Sequence, residues 1–284
     1  MQVDDIIDSI DTLRPVSPMV ERVMKIVRDP DSSMADLVEV IKFDDRITAN
    51  LLKTCNSAYF NLPNRIASVQ QAVTYFGMEK VASLAMLQTT ADNFRKDQDG
   101  YDLAGGELWR AAITSALIAQ EIAEKKQLGS VSLIFTASLL KDIGKVVLND
   151  YIKSTQSEIF ERLDKQQMSF TEAEEAVFGI DHAELGARVA EKWNFNFALV
   201  DLIRHHHTPL DSEIPDLSAC VVYIADTICM MIGVGVGSDG LTYRHYQAAI
   251  DKVGLSADDI QDIIAGYWDK IESIEEMMNL SQEG

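Results

Sequence analysis

The stretch Leu139-Leu140-Lys141-Asp142-Ile143-Gly144-Lys145, near the middle of the sequence, decides how the chain is read. An apolar helical run from Val131 to Leu140 leads into it and ends in Asp-x-Gly. Asp142 is then held at a helix end, and Gly144 is expected to let the backbone turn at positive φ. Three later stretches carry side chains able to converge on the Asp142 carboxylate: His182, the triplet His205-His206-His207, and Asp226. Imidazoles and carboxylates delivered from several helices are how a helical protein builds a metal site. Lys141 works against that reading, because a protonated ammonium has no lone pair to give a metal.

Outward from this stretch, nearly every segment has the period of a helix, and no run alternates as a half-buried strand does. The fold class is therefore all-α, a multi-helix bundle. Pro18 opens an amphipathic helix with Met19, Val23, Ile26 and Val27, stopped by Asp29-Pro30. Ser32-Ser33, Asp44-Asp45, Ser68, Ser169 and Asp181 read as helix N-caps. Residues 97–106 are charged and then glycine-rich, the strongest boundary signal. They divide the chain into an N-terminal helical subdomain, 1–100, and a helical bundle with a C-terminal helix, 101–284. Within the bundle, Ala112, Ser115, Ala119 and Ile122 share one small-residue face that suits close packing in its middle, and residues 233–240 read as a flexible loop. Tyr59 and Phe60, in a polar connector, read as an aromatic plug between the helical halves rather than a recognition surface.

Helical spacing also tells which polar residues face inward. On the helix 198–206, Leu199, Leu202 and Ile203 set an apolar stripe that His206 continues, while His205 falls with Asp201 on the wet side. Asp226 shares a face with Ala219, Val222, Tyr223 and Met230, so its carboxylate must be paired, metal-bound or protonated. His182 leads a stripe with Gly186, Val189 and Trp193. Taken singly, each has an ordinary reading as a hydrogen-bonded core residue or a cap. Taken together, Asp142, His182, His206 and Asp226 face one interior.

Composition narrows the partners. Of 284 residues 47% are hydrophobic, enough for a sizeable core, and 45 acidic against 25 basic residues give a net charge of −20. Such a surface repels phosphate backbones and anionic lipid, so neither nucleic acid nor membrane is the expected partner. Cys55, Cys220 and Cys229 lie in apolar runs without Cys-x-x-Cys and read as buried core residues in a reducing compartment. The acidic N-terminus has no signal-peptide pattern, and the most apolar stretch, 219–236, holds Asp226 and two glycines. The expected location is the cytoplasm.

Several motifs resemble the HDOD family, an all-helical branch of the HD phosphohydrolase superfamily. They are Leu13-Arg14-Pro15-Val16-Ser17-Pro18, Asp29-Pro30-Asp31, the run from Leu51 to Phe60, Ser68-Val69-Gln70-Gln71-Ala72-Val73, Leu108-Trp109-Arg110, the Leu139–Lys145 stretch and His182-Ala183-Glu184-Leu185-Gly186. The resemblance runs in order from about Leu13 to about Asp226 and implies a bacterial signal-transduction domain. Active members of the superfamily hold one or two metals with His, His-Asp and Asp, and a metal-bound water attacks a phosphate ester or anhydride. Carried over, the first histidine position is Ala111 and the His of His-Asp is Lys141; Asp142, His182, His206 and Asp226 are retained. The resemblance thus implies a vestigial pocket of Ala111, Lys141, Asp142, His182, His206 and Asp226, with no metal or other cofactor expected. Were a divalent metal bound, its ligands would be Asp142, His182, His206 and Asp226. Lys141 is expected to replace the metal electrostatically by pairing with Asp142 or Asp226, unless it extends to solvent. The function expected is a non-catalytic signalling module that binds a protein partner or a small ligand, in an oligomeric state left open. The alternative is a metal-dependent phosphohydrolase acting on a nucleotide or cyclic dinucleotide. An enzyme using Lys141 or a histidine as acid or base has no nucleophile motif or phosphate loop to support it.

Overall fold

A computed structural model describes residues 3–13, 18–242 and 246–280. Residues 14–17 of the first family motif lie outside the described residues. In chain order the helices are α1 (Val3–Asp8), α2 (Pro18–Arg28), α3 (Met34–Ile41), α4 (Asp45–Cys55), α5 (Val69–Phe76), α6 (Met78–Phe94), α7 (Glu107–Lys125) and α8 (Val131–Leu140). They continue with α9 (Ile143–Gln166), α10 (Phe170–Phe178), α11 (His182–Lys192), α12 (Phe197–Arg204), α13 (Ser218–Met231), α14 (Gln247–Val253) and α15 (Ala257–Leu280). Among the described residues there is no strand, only an isolated bridge between Gln98 and Leu103.

The caps explain where the helices start. Ser33, Asp44, Ser68, Ser169 and Asp181 each accept a backbone N–H of the first turn, and Ser33 and Ser169 complete capping boxes with Asp36 and Glu172. Gly77, at φ 80°, ends α5 and separates it from α6.

The chain divides into two units, residues 1–14 with 93–264, and residues 15–92 with 265–284. The sequence signal at 97–106 suggests a single cut at residue 100. The structural division falls instead inside α6 and α15, where an unbroken helical pattern conceals it. The 97–106 segment is packed into the first unit: Tyr101 is fully buried, and Gly100 lies so close to α9 that its N–H reaches Asn149 Oδ1 at 2.9 Å.

In the second unit, Val23, Leu37, Ile41, Leu51, Cys55, Val69, Val73 and Leu84 form the core, and Phe60 packs against it with its ring 4.9 Å from that of Phe76. Phe60 therefore fills this unit's own core. Asn56 closes the connector behind it, donating to Leu52 O and Ile66 O and accepting from Ile66 N–H, all at 2.7 Å. All three cysteines are buried thiols, and burial pushes Cys55 up to about 12, which makes it inert.

In the first unit, α7 is buried along most of its length and packs against α8 and α13. The small residues on that helix let neighbouring backbones approach closely. A second close crossing involves Gly144. It is helical, not a positive-φ turn. A Cβ at Gly144 would stand 2.0 Å from the His182 carbonyl oxygen, and one at Gly186 would stand 3.3 Å from the Lys141 carbonyl. The glycines thus serve the crossing of α9 and α11, which sets His182 above Asp142. The segment 233–240, expected to be flexible, is instead packed down, with Val234, Gly237 and Ser238 buried.

Candidate functional site

The site begins where α8 passes into α9. Lys141 keeps a helical backbone, and Asp142, at φ −94° and ψ 11°, forms the joint between the two helices. This sparsely populated backbone region is common at functional sites. Both side chains point inward and are almost fully buried. Lys141 Nζ pairs with Asp142 Oδ2 and stands 2.5 Å from Asp226 Oδ1. One helical turn later, Lys145 Nζ lies 2.6 Å from Asp239 Oδ2 and 2.8 Å from Asp142 Oδ1, off the line of a hydrogen bond to the latter. Two ammonium groups and three carboxylates therefore neutralise one another apart from a single negative charge. Burial disfavours the charge on Lys141, but Asp142 and Asp226 outweigh it and raise its pKa. Burial would likewise raise Asp142, but the two lysines hold its carboxyl well below the usual carboxylate range.

On the other face of Asp142 three imidazoles meet. His182 opens α11; its Nδ1 lies 2.7 Å from Glu174 Oε2, and its backbone N–H donates to the same oxygen at 2.9 Å. Glu174, fully buried on α10, accepts the Tyr101 hydroxyl on its other oxygen at 2.6 Å. Burial works against a charge on His182, but Glu174 outweighs it and the pKa rises. His206 donates Nδ1–H to Ile203 O at 2.7 Å, which leaves Nε2 as a bare acceptor. That Nε2 finds no hydrogen-bond partner among the described residues and faces Asp142 Oδ1 at 3.9 Å. Burial lowers the His206 pKa to about 3. His207 Nε2 lies 2.8 Å from His182 Nε2, and burial together with its two imidazole neighbours lowers its pKa well below the ordinary value.

Each residue singled out by sequence can now be placed. Lys141, Asp142 and Asp226 meet in one ion-pair cluster, while His182 and His206 meet beside it. Lys141 does not extend to solvent. Ala111 lies on α7 under the glycine segment: a Cβ added at Gly235, whose φ is 67°, would stand 2.3 Å from Ala111 Cβ. His206 faces inward, but from the turn beyond α12 rather than from the helix. Asp201 is buried, not wet; it accepts from Ser212 Oγ and from Glu213 N–H and pairs with His205 at 3.6 Å.

The matching family over residues 13–209 is the HDOD domain. The chain belongs to the HDOD family. A Treponema pallidum protein with no assigned role is 26% identical over 212 residues, covering 71% of this HDOD chain and 39% of that relative, so the chain spans well under half of its length. Solved structures share the fold. An HDOD domain protein of unknown function from Geobacter sulfurreducens has a TM-score of 0.71 at 23% identity, covering 98% and 99% of the two chains. A protein from Marinobacter aquaeolei, provisionally named for signal transduction, has a TM-score of 0.75 at 22% identity, covering 100% of this chain and 62% of its own. A protein from Shewanella amazonensis, provisionally named a phosphohydrolase, has a TM-score of 0.72 at 20% identity, covering 97% of each.

Sequence reasoning gave no role to Lys145, Glu174, Asp239 or Tyr101, and named His207 only as part of the triplet without choosing it. Glu174 was detectable: it stands four residues from both Phe170 and Phe178 and so interrupts an apolar stripe, as Asp226 does. Lys145 follows Asp142 by three residues, the spacing of one helix face. His207 lies in a turn and Asp239 beyond a glycine loop, where no periodicity operates.

Proposed function

We propose that this HDOD chain is a non-catalytic, cytoplasmic signal-transduction module that acts by binding a signalling protein or a small ligand. One observation carries the reading: the Lys141 ammonium bridges Asp142 and Asp226, where an HD-type metal would need lone pairs. A cation does not fit there. It would have to displace a paired ammonium and lie within a few ångströms of Lys145 as well. Ala111 offers no ligand, and the backbone of the 233–240 segment lies against its methyl group, so a histidine there would have no room. The histidine group beside Asp142 favours the second reading, a metal-dependent phosphohydrolase, because its nitrogens are grouped closely enough to share an ion. Nucleotides and cyclic dinucleotides incubated with Mn²⁺-saturated protein separate the two. No phosphate or ring-opened product above the protein-free control is expected. Turnover that disappears in Asp142→Asn would overturn the proposal.

A further inference from the structure

Residues 3–13 belong to the same unit as residues 93–264, although residues 15–92, which intervene in sequence, build the other. They lie on their unit as a strap. Val3 faces the turn after α10, where a Cβ at Gly179, whose φ is 73°, would stand 2.7 Å from Val3 Cγ2. The Asp5 carbonyl accepts the Tyr151 hydroxyl of α9 at 3.4 Å, and Asp11 pairs at 2.5 Å with Lys192, the last residue of α11. Ile6, Ile10 and Leu13, spaced by four and three residues, are all buried. The strap thus fills an apolar groove bordered by α9, the turn after α10 and the end of α11.

Little besides that apolar face holds it. α1 has six residues, far fewer than the roughly 12–15 an isolated helix needs. The 3₁₀ turn that follows, Ser9–Thr12, has no side-chain cap. The Asp11–Lys192 pair is exposed on both sides, and such pairs add little. Charge opposes docking: the strap carries Asp4, Asp5, Asp8 and Asp11 with no basic residue, on a chain of net charge −20. A helix with the same apolar spacing and the opposite charge would keep the burial and turn repulsion into attraction.

We propose that residues 3–13 are a displaceable strap, and that the groove beneath them binds a basic amphipathic helix of a partner protein in its place. The inference rests on the proposed function and names the chemistry of its protein partner. A second copy of the chain is the weaker occupant, because it would bring the same four aspartates and a further net charge of −20.

The test uses the full chain and two fluorescein-labelled peptides of residues 3–13. One is native; the other carries Asp4→Lys, Asp5→Lys and Asp8→Lys, with Asp11 kept for Lys192. The lysine peptide is expected to bind at least about tenfold more tightly at low salt, with the gap closing near about 1 M salt. The variant Val3→Cys/Gly179→Cys permits a disulfide that locks the strap down, selectively because the three native thiols are buried. Locking should weaken lysine-peptide binding at least about tenfold, and reductant should restore it. Comparing the two redox forms of one variant removes any effect of strain at residue 179. Equal binding by both forms would put the peptide elsewhere on the acidic surface and overturn the proposal, as would failure of the lysine peptide to bind wild type. Should that variant not fold or not oxidise, Ile6→Ala decides: a loosened strap should raise lysine-peptide affinity at least about threefold, and unchanged affinity would overturn the proposal. Dimerisation of Ile6→Ala by light scattering would give the groove to a second copy and overturn the partner assigned. The proposed function fails separately, through nucleotide turnover, which would leave the peptide affinities unchanged.

Discussion

On one side of Asp142, two lysines meet three carboxylates and nearly cancel; on the other, three histidines gather beside the same residue, and of their nitrogens His206 Nε2 has no hydrogen-bond partner among the described residues. The first cluster is closed electrostatically by its own side chains. The second is held by neutral and charge-assisted hydrogen bonds, through Glu174, Tyr101 and Ile203 O on the outside and between His182 and His207 within. The contrast teaches that a buried polar site can be balanced in two ways, by ion pairs or by hydrogen bonds. An ammonium can carry the charge compensation at one end while the other keeps its donors aligned.

The largest expected effect breaks the closed cluster. Lys141→Ala would leave Asp142 and Asp226 without their shared cation and cost about 3–5 kcal/mol, measured by urea denaturation. A loss under about 1 kcal/mol would mean that the cluster is not held by charge pairing. Next is the support behind the histidines. Glu174→Ala deprives the Tyr101 hydroxyl and two His182 N–H groups of their acceptor and is expected to cost about 2–4 kcal/mol by the same measurement. Gly235→Ala would press a methyl onto Ala111 at a left-handed φ and cost about 1–3 kcal/mol, seen as a lower thermal midpoint.

Acid should act in opposite senses on two residues of the histidine cluster. His206 has its pKa lowered from 6.5 to about 3, chiefly by burial, so the unfolded chain binds the extra proton in between. Its contribution is full above pH 6.5 and is lost as pH falls toward 3. His182, whose pKa is raised, contributes in the opposite sense: fully below its ordinary value, with loss as pH rises through the raised one. His206→Gln should therefore flatten the fall in stability on acidification, read from denaturation midpoints across that range; an unchanged slope would refute the assignment. The smallest effect belongs to the start of α10: Ser169→Ala removes a capping box and should cost about 1 kcal/mol while leaving the histidine geometry intact by NMR.

Much of this was legible in the sequence, for a physical reason. Caps such as Ser33, Ser68 and Asp181 act within one turn, and the apolar stripes that place Asp226 and His182 inside have a fixed period, so both can be read locally. His206 was placed inward by a stripe that ends before reaching it; the turn after α12 happens to deliver it to the same interior. What could not be read depends on contacts distant in sequence. Asp239 reaches Lys145 across 94 residues, and Tyr101 reaches Glu174 across 73. The segment 97–106 looked like a boundary because its composition is that of a loop; only its packing against α9 shows that it belongs to the site's own unit. Gly144 and Gly186 were ambiguous for a similar reason, since a glycine required for a close crossing and one required for a turn look alike in sequence.

Anomalous diffraction from crystals soaked in Mn²⁺ tests the central claim most directly, because it views both sides of Asp142 at once. The account expects no anomalous peak between Asp142 and Asp226, with the Lys141 ammonium in that position. A metal peak bridging Asp142 and Asp226, with Lys141 displaced, would contradict it.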